Sequence, residues 1–154
     1  MSAFITDYIL KPDLELQVLA GAITSDKEDA EVLLVWHQKI DKAYLEQFPN
    51  LKGIVRYGVG IDMIDIDAVK EKGVVFCNTP DYGTDEVSDT AIAMIMNIAR
   101  GMTRYDSYCR DYQNGSWQEN TLTEVKRTDT QVLGIIGAGR IGGSVLRKAK
   151  ANTL

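Results

Sequence analysis

Histidine and cysteine, which supply many metal ligands and catalytic groups, are almost absent from this sequence. Its 154 residues include one histidine, His37, and two cysteines, Cys77 and Cys109. The cysteines share no metal-ligand spacing with each other or with the histidine, so the sequence predicts neither a metal site nor a disulfide. We interpret both as buried or half-buried thiols in a reducing cytoplasm. His37 stands alone, which favours a structural role over a catalytic one.

Basic clusters and long apolar runs are also missing. The 17 basic and 22 acidic residues give a net charge of −5, which argues against nucleic acid or an anionic membrane as a partner. The longest apolar run, residues 91–96, is too short to span a bilayer. The N-terminus has no basic region before an apolar core, so we predict no signal peptide and a cytoplasmic protein.

The sequence does contain an alternation of short apolar segments with short helical patterns. This alternation predicts a parallel sheet with helices on both faces and right-handed connections. Residues 23–29 are polar and irregular. The predicted strands are residues 3–10, 32–36, 51–57 and 74–77, and the predicted helices between them begin at Pro12 and cover residues 40–48 and 65–72.

From residue 84 onward the pattern changes. Thr84, Asp85 and Glu86 provide an N-cap and first-turn acids, and residues 87–100 predict one long helix that is apolar on most of its surface. Such a helix is normally buried between layers or domains. The helical pattern continues over residues 102–112, and residues 116–130 are interpreted as a connecting arm.

The motif with the clearest chemistry is GAGRIG at residues 137–142. It follows a β-branched run at residues 132–136, which predicts a buried strand, and it precedes a helical pattern. In a nucleotide-binding turn, Gly137 allows the tight turn, Gly139 lets the backbone approach a pyrophosphate, and Gly142 lets the helix pack closely. The helix N-terminus then offers amides to the phosphates. An ordinary glycine-rich turn is the alternative.

A second glycine-containing segment, RYGVGID at residues 56–62, follows the third predicted strand. Ligands of open α/β sheets bind at the carboxyl ends of the strands. The glycines that flank Val59 can present consecutive backbone amides to an anion such as a carboxylate. Asn78, Thr79 and Pro80 mark the same end of the next strand. A plain turn is the alternative.

Together, residues 51–100 and 132–151 resemble the D-isomer-specific 2-hydroxyacid dehydrogenases, close to the phosphoglycerate and glyoxylate/hydroxypyruvate members. The resemblance implies an α/β fold in which residues 1–99 form a flavodoxin-like parallel-sheet substrate domain. Residues 100–154 would then be a connecting helix, an arm and the first βα unit of an incomplete Rossmann NAD-binding domain. It also implies hydride transfer between NAD(H), with NADP not excluded, and a small 2-hydroxy or 2-oxo acid.

The resemblance also implies roles for individual residues. The amides of Val59 and Gly60 would bind the substrate carboxylate, with Tyr57 and Gly58 in the same substrate-binding segment. Val87 would lie against the nicotinamide, with Thr84 nearby. The residues implied at the pyrophosphate are Gly137, Gly139, Arg140, Ile141 and Gly142.

The family's catalytic arginine, glutamate and histidine, and its ribose-binding acid, would lie beyond residue 154. No catalytic residue is therefore assigned, and we predict that the 154 residues are inactive alone. The alternative is a non-catalytic interaction or regulatory module that retains the flavodoxin-like domain. Because a strand at residues 132–136 would expose its edges, we predict that residues 100–154 are covered by another copy, as in a dimer or other homo-oligomer.

Overall fold

The computed structural model describes residues 1–7, 12–110, 122 and 124–152. The chain divides into two units, Met1–Tyr82 and Gly83–Leu154. The long helix belongs to the second unit, and the domain boundary between residues 99 and 100 stays a prediction.

The N-terminal unit is built on four parallel strands in sequential order, with Leu33 paired to both Phe4 and Ile54. The predicted strands are confirmed in position. The first three are shorter than predicted, the fourth is shifted by one residue, and residues 8–10 of the first lie outside the described residues. The strands are β1 (Ala3–Ile5), β2 (Val32–Val35), β3 (Gly53–Arg56) and β4 (Val75–Asn78).

A further parallel pairing extends the sheet beyond β1. Ala3 pairs with Ile23, and the amide of Thr24 donates to the carbonyl of Ala3 over 2.9 Å. Ile23 lies between β1 and β2 in sequence, so it counts as the second of five strand positions along the chain. The order of these positions across the sheet is then 2-1-3-4-5, which is the flavodoxin-like order. Residues 23–29 gave no strand signal, because Ile23 is the single large apolar residue among them.

Three short helices connect the strands: α1 (Asp13–Leu19), α2 (Lys42–Leu45) and α3 (Ile66–Glu71). The Asp41 carboxylate caps α2 by accepting from the Tyr44 amide over 3.0 Å, and Asp65 caps α3 in the same way. Gly73 follows α3 with φ +71°, a conformation that favours glycine.

The core lies between the sheet and the α2–α3 layer. Phe48 is fully buried there and contacts the ring of Phe4 edge-on at 5.2 Å. The right-handed connection rule places α1 on the opposite face, because its connection runs in the other direction along the sheet. The helix α1 has no buried residue, and its Leu14 and Val18 are exposed.

The prediction that both cysteines are buried or half-buried was wrong, because the free thiols Cys77 and Cys109 are both exposed. Cys77 alternates with Phe76 along β4, so only Phe76 faces the core. Cys109 lies on a helix that has no buried residue.

The regular secondary structure described in the C-terminal unit is all helical. Gly101, at φ +64°, separates the first two helices, and the N-cap of the first is Gly83 rather than Thr84. The prediction of an extensively buried long helix is not met, because Ser88 is its only buried residue and Met94 and Ile98 are exposed. The helices are α4 (Thr84–Arg100), α5 (Met102–Arg110), a 3₁₀ turn (Thr128–Thr130) and α6 (Arg140–Ala151).

The strand predicted at residues 132–136 does not form. These residues adopt no regular structure, and the exposed fraction of Val132 is 97%. A strand exists through hydrogen bonds to a neighbouring strand, and the described part of this unit contains no strand that pairs with it. The predicted βα unit is therefore present as its glycine turn and helix alone.

Candidate ligand-binding loops

The first candidate site is the loop that follows β3 in the N-terminal unit. The Tyr57 amide extends the sheet by donating to the Val35 carbonyl over 2.7 Å. The chain then turns sharply, with the Gly58 amide donating to the carbonyl of Arg56 over 3.0 Å. The Arg56 guanidinium donates to the Tyr57 carbonyl and occupies the space that a Cβ on Gly58 would fill. A Cβ at Gly58 would therefore have to displace the far end of this flexible side chain.

The end of β4 holds the carbonyls of this loop. Asn78 donates its side-chain amide to the Val59 carbonyl over 2.9 Å, and the Thr79 amide donates to the Gly58 carbonyl over 3.2 Å. The Val59 and Gly60 amides form no hydrogen bond with the described residues. Two consecutive amides of exposed residues, on a loop fixed through its carbonyls, are suited to binding an anion.

Tyr57 is a half-buried side chain at this loop. Burial raises the pKa of its phenol, and the nearby Glu15 carboxylate raises that pKa further. The phenol is therefore neutral at physiological pH and is able to donate a hydrogen bond.

His37 is not part of this loop. Its ring stacks on Trp36, with the ring centres 4.5 Å apart, and its amide donates to the Asp7 carboxylate. Asp7 also accepts from the amides of Trp36 and Gln38 over 2.9 and 3.0 Å. Burial acts to raise the pKa of Asp7, but these hydrogen bonds outweigh it and hold the pKa below its ordinary value. These three hydrogen bonds to Asp7 fix the end of β2, and the sequence pattern did not predict them.

The second candidate site is the glycine turn before α6 in the C-terminal unit. Gly137 has φ +85°, a backbone conformation that L side chains rarely adopt. A Cβ on Gly142 would collide with the Gly137 carbonyl oxygen, so the first turn of the helix packs directly on the turn. A Cβ at Gly142 would also meet the Ile135 side chain at 3.6 Å, so the close packing at this glycine involves both residues.

Gly139 is the N-cap of α6 and has no side chain to bond the first-turn amides. The space where its Cβ would lie is open, with no atom within 4 Å. Arg140 and Ile141 are the first residues of α6, and the amides of a first helical turn point outward along the helix axis. A helix N-terminus without a side-chain cap, placed behind a glycine turn, is an anion-binding arrangement, and it fits a pyrophosphate.

Thr84 and Val87 lie in the first turn of α4, also in the C-terminal unit. Val87 is exposed and Thr84 is half-buried.

The described residues contain no cluster of three or more His, Cys, Asp or Glu arranged to bind a metal ion. No helix within the described ranges is long and apolar enough to cross a membrane.

Comparison with known proteins identifies relatives over nearly the whole chain. Residues 6–139 match the family described as D-isomer specific 2-hydroxyacid dehydrogenase, catalytic domain. A glyoxylate/hydroxypyruvate reductase A of Arabidopsis thaliana is 35% identical over 111 residues, which are 72% of this chain and 34% of the relative.

Solved structures share the fold. A D-lactate dehydrogenase of Aquifex aeolicus, complexed with NAD and lactic acid, gives a TM-score of 0.85 at 24% identity over 100% of this chain and 49% of its own. An NADPH-dependent glyoxylate/hydroxypyruvate reductase of Sinorhizobium meliloti, in complex with citrate, gives 0.80 at 25% identity over 99% and 52%. This chain thus spans about half the length of these two structures. With a family match over most of its residues, a flavodoxin-like sheet and a glycine turn at a helix N-terminus, the chain belongs to the D-isomer-specific 2-hydroxyacid dehydrogenase family.

Proposed function

We propose that this chain supplies the carboxylate-binding and pyrophosphate-binding loops of an NAD(P)-dependent oxidoreductase that acts on a small 2-hydroxy or 2-oxo acid. The observation that carries the proposal is the glycine turn before α6. Its Gly139 leaves open space beside an uncapped helix N-terminus, while Gly142 packs on Gly137. Relatives that use NAD and relatives that use NADPH both share the fold, so the proposal includes either cofactor.

In this proposal the cofactor is held by the C-terminal unit. The amides of Arg140 and Ile141 bind its pyrophosphate, and Gly139 allows the close approach of the backbone. Val87 packs against the nicotinamide, with Thr84 beside it. When bound, the nicotinamide supplies the hydride donor or acceptor for carbon C2 of the acid.

The substrate carboxylate is held by the loop that follows β3. The Val59 and Gly60 amides donate to its oxygens. The loop that presents these amides is fixed by hydrogen bonds from Asn78 and Thr79 to its carbonyls. Fixed donors orient an anion at little reorganisation cost. Tyr57 and Gly58 complete this segment, with Gly58 setting the turn.

We assign no catalytic residue, and we propose that these 154 residues do not turn over alone. Exchange of the hydroxyl proton needs an acid–base group within hydrogen-bond reach. His37, the sole histidine, is stacked on Trp36 at the end of β2 and is not in the Val59–Gly60 loop. The two exposed thiols support a reducing compartment, and we therefore place the protein in the cytoplasm.

A titration with NADH tests the cofactor half of this proposal. Gly139→Ala adds a methyl group to open space at φ −71°, so the fold tolerates it, but the methyl group blocks the approach of a pyrophosphate. We expect this variant to weaken NADH binding by about tenfold. Gly134→Ala is the matched control, because its Cβ also meets no atom within 4 Å. Equal affinity of both variants, or no binding by the unaltered chain, would contradict the assignment of the turn.

An absorbance assay tests the activity. NADH is mixed with glyoxylate, hydroxypyruvate or phosphohydroxypyruvate, and its oxidation is followed. We expect no turnover by the 154-residue chain, and measurable turnover would overturn the claim of inactivity. The non-catalytic module remains the second hypothesis, favoured by the exposed apolar side chains of Val132 and Ile136. Tight NADH binding would argue against it.

A further inference from the structure

Lys148 of α6 connects to the first two turns of α4. Its ammonium nitrogen lies 2.7 Å from a carboxylate oxygen of Asp89 and 3.3 Å from one of Asp85. It also donates to the Ser88 hydroxyl over 2.7 Å and to the Asp85 carbonyl over 3.3 Å. One side chain of α6 therefore contacts three residues of α4.

Beneath Lys148 lies a buried pair of hydroxyls. Ser88 and Ser144 have exposed fractions of 0% and 3%, and their hydroxyl oxygens are 3.1 Å apart. Ser88 donates to the Asp85 carbonyl over 2.9 Å. Ser88 therefore has an acceptor within its own helix, and it accepts a hydrogen bond from α6 through Lys148.

We propose that Lys148 is a positioning residue that holds the first turns of α4, and with them Thr84 and Val87, in place for the nicotinamide. This inference rests on the proposed function. Thr84 is adjacent to Asp85, and Val87 lies two residues from both Asp85 and Asp89, so the ion pairs act on the same helical turns.

Few other contacts within α4 hold the start of this helix in place. Its N-cap, Gly83, makes no side-chain hydrogen bond, and Ser88 is the only buried residue of the helix. No buried apolar side chain of α4 itself therefore fixes the start of this helix. The described contacts that hold it come from α6, where Val145 and Ala149 are buried beside Ser144.

The ammonium group is charged under all ordinary conditions. Its hydrogen bond to Asp89 and then that to Asp85 raise the pKa of Lys148 above its usual value, against the opposing effect of burial. The charge matters because Asp85 and Asp89 are both acids on one side of α4 and repel each other when the lysine is removed.

The test compares Lys148→Met, Lys148→Arg and Lys150→Met. Met retains the length and apolar stem of lysine without the charge, and Arg retains the charge and donors. Lys150 is an exposed residue in the same turn of α6, so Lys150→Met controls for the loss of one positive charge. Hydrogen exchange of the amides of residues 84–92 measures the order of the start of α4 without any ligand.

Binding of NADH and of ADP-ribose then separates positioning from general stability. ADP-ribose carries the pyrophosphate without the nicotinamide. We expect Lys148→Met to speed exchange at residues 84–92 and to weaken NADH binding about three- to tenfold, with ADP-ribose affinity changed by less than about twofold. Lys148→Arg should restore both properties, and Lys150→Met should resemble the unaltered chain.

Two results would overturn the inference. The first is unchanged exchange at residues 84–92 in Lys148→Met. The second is an equal loss of affinity for NADH and ADP-ribose, which indicates general destabilisation. Failure of the unaltered chain to bind NADH would instead overturn the proposed function and the nicotinamide role with it. The exchange measurement would still decide whether Lys148 holds the start of α4.

Discussion

The side-chain amide of Asn78 donates to the backbone carbonyl of Val59 over 2.9 Å, so the last residue of β4 fixes the loop that follows β3. We expect Asn78→Ala to lower the free energy of unfolding by about 0.5–1.5 kcal/mol, the usual contribution of one hydrogen bond. It should also broaden or shift the amide resonances of Val59 and Gly60 and weaken their response to added glyoxylate.

Asn50→Ala is the matched control for this variant. Asn50 also donates its side-chain amide to a backbone carbonyl, that of Glu28, over 2.8 Å, but it lies away from the loop. Its loss of stability should be similar, with the Val59 and Gly60 resonances unchanged. If both variants leave those resonances in place, Asn78 does not order the loop.

Two adjacent glycines of α6 should respond oppositely to alanine. A Cβ at Gly142 collides with the Gly137 carbonyl oxygen, whereas a Cβ at Gly143 finds its nearest atom 3.7 Å away. We expect Gly142→Ala to cost about 1–3 kcal/mol and to abolish NADH binding. Gly143→Ala should be neutral or stabilise α6 by up to about 1 kcal/mol, because alanine is the better helix former. Thermal melting followed by circular dichroism measures both, and identical melting curves would exclude the Gly137–Gly142 contact.

Glu31 should make the stability of the N-terminal unit depend on pH at the acidic end. Its hydrogen bond to Lys52, followed by that to the N-terminal amine 3.2 Å away, lowers the pKa of Glu31 to about 2. A carboxyl group whose pKa is lower in the folded state stabilises the fold at pH values above its unfolded-state pKa. This stabilisation is lost as the pH falls through the folded-state pKa. The difference in unfolding free energy between the unaltered chain and Glu31→Gln should therefore be constant near neutrality and vanish around pH 2.

Urea denaturation across that pH range measures the effect of Glu31. Lys52→Met removes the partner, and the double variant should then lose less than the sum of the two single losses, because the residues interact. Additive losses would show that the ion pair contributes nothing to folding.

Phe48 should be a main support of the N-terminal core. It is fully buried and contacts the ring of Phe4. Phe48→Ala is expected to cost about 3–5 kcal/mol, enough to unfold much of a small unit. Val18→Ala, on the exposed face of α1, should change stability by less than about 0.5 kcal/mol. Denaturant unfolding of both variants tests the contrast, and a small loss for Phe48→Ala would contradict the described core.

The exposed apolar segment before the glycine turn should drive association. Val132 and Ile136 are almost completely exposed, although both belong to a β-branched run. We expect the chain to scatter light as a dimer or larger assembly at micromolar concentration, with residues 100–154 covered by another copy. Ile136→Glu should shift it toward the monomer, and Lys150→Glu should not. A monomeric unaltered chain would contradict this prediction.

Local patterns predicted the parts of the fold that depend on neighbouring residues. The apolar run of β2 and the helical patterns over residues 40–48 and 65–72 each mark an element that forms there. Most elements were predicted too long, because an apolar pattern continues past the last hydrogen-bonded residue.

The features that failed depend on partners distant in sequence. The run at residues 132–136 has strand propensity, yet a strand requires a neighbour that the described residues do not provide. Cys77 has an ordinary buried-strand context but faces the uncovered side of β4. Asn78 and Thr79 were placed correctly at the end of β4, whereas the contact of Lys148 with Asp85, 63 positions away, left no signal in the pattern.

The guanidinium that fills the space beside Gly58 links the substitutions that positions 56 and 58 accept. Because the guanidinium is the far end of a flexible side chain, a Cβ at residue 58 displaces it and meets no fixed backbone atom there. In a library that varies residue 58 alone, alanine should therefore cost little beyond the hydrogen bond from Arg56 to the Tyr57 carbonyl. If residue 56 carries a short side chain, that cost disappears as well, and paired randomisation of the two codons would measure the difference.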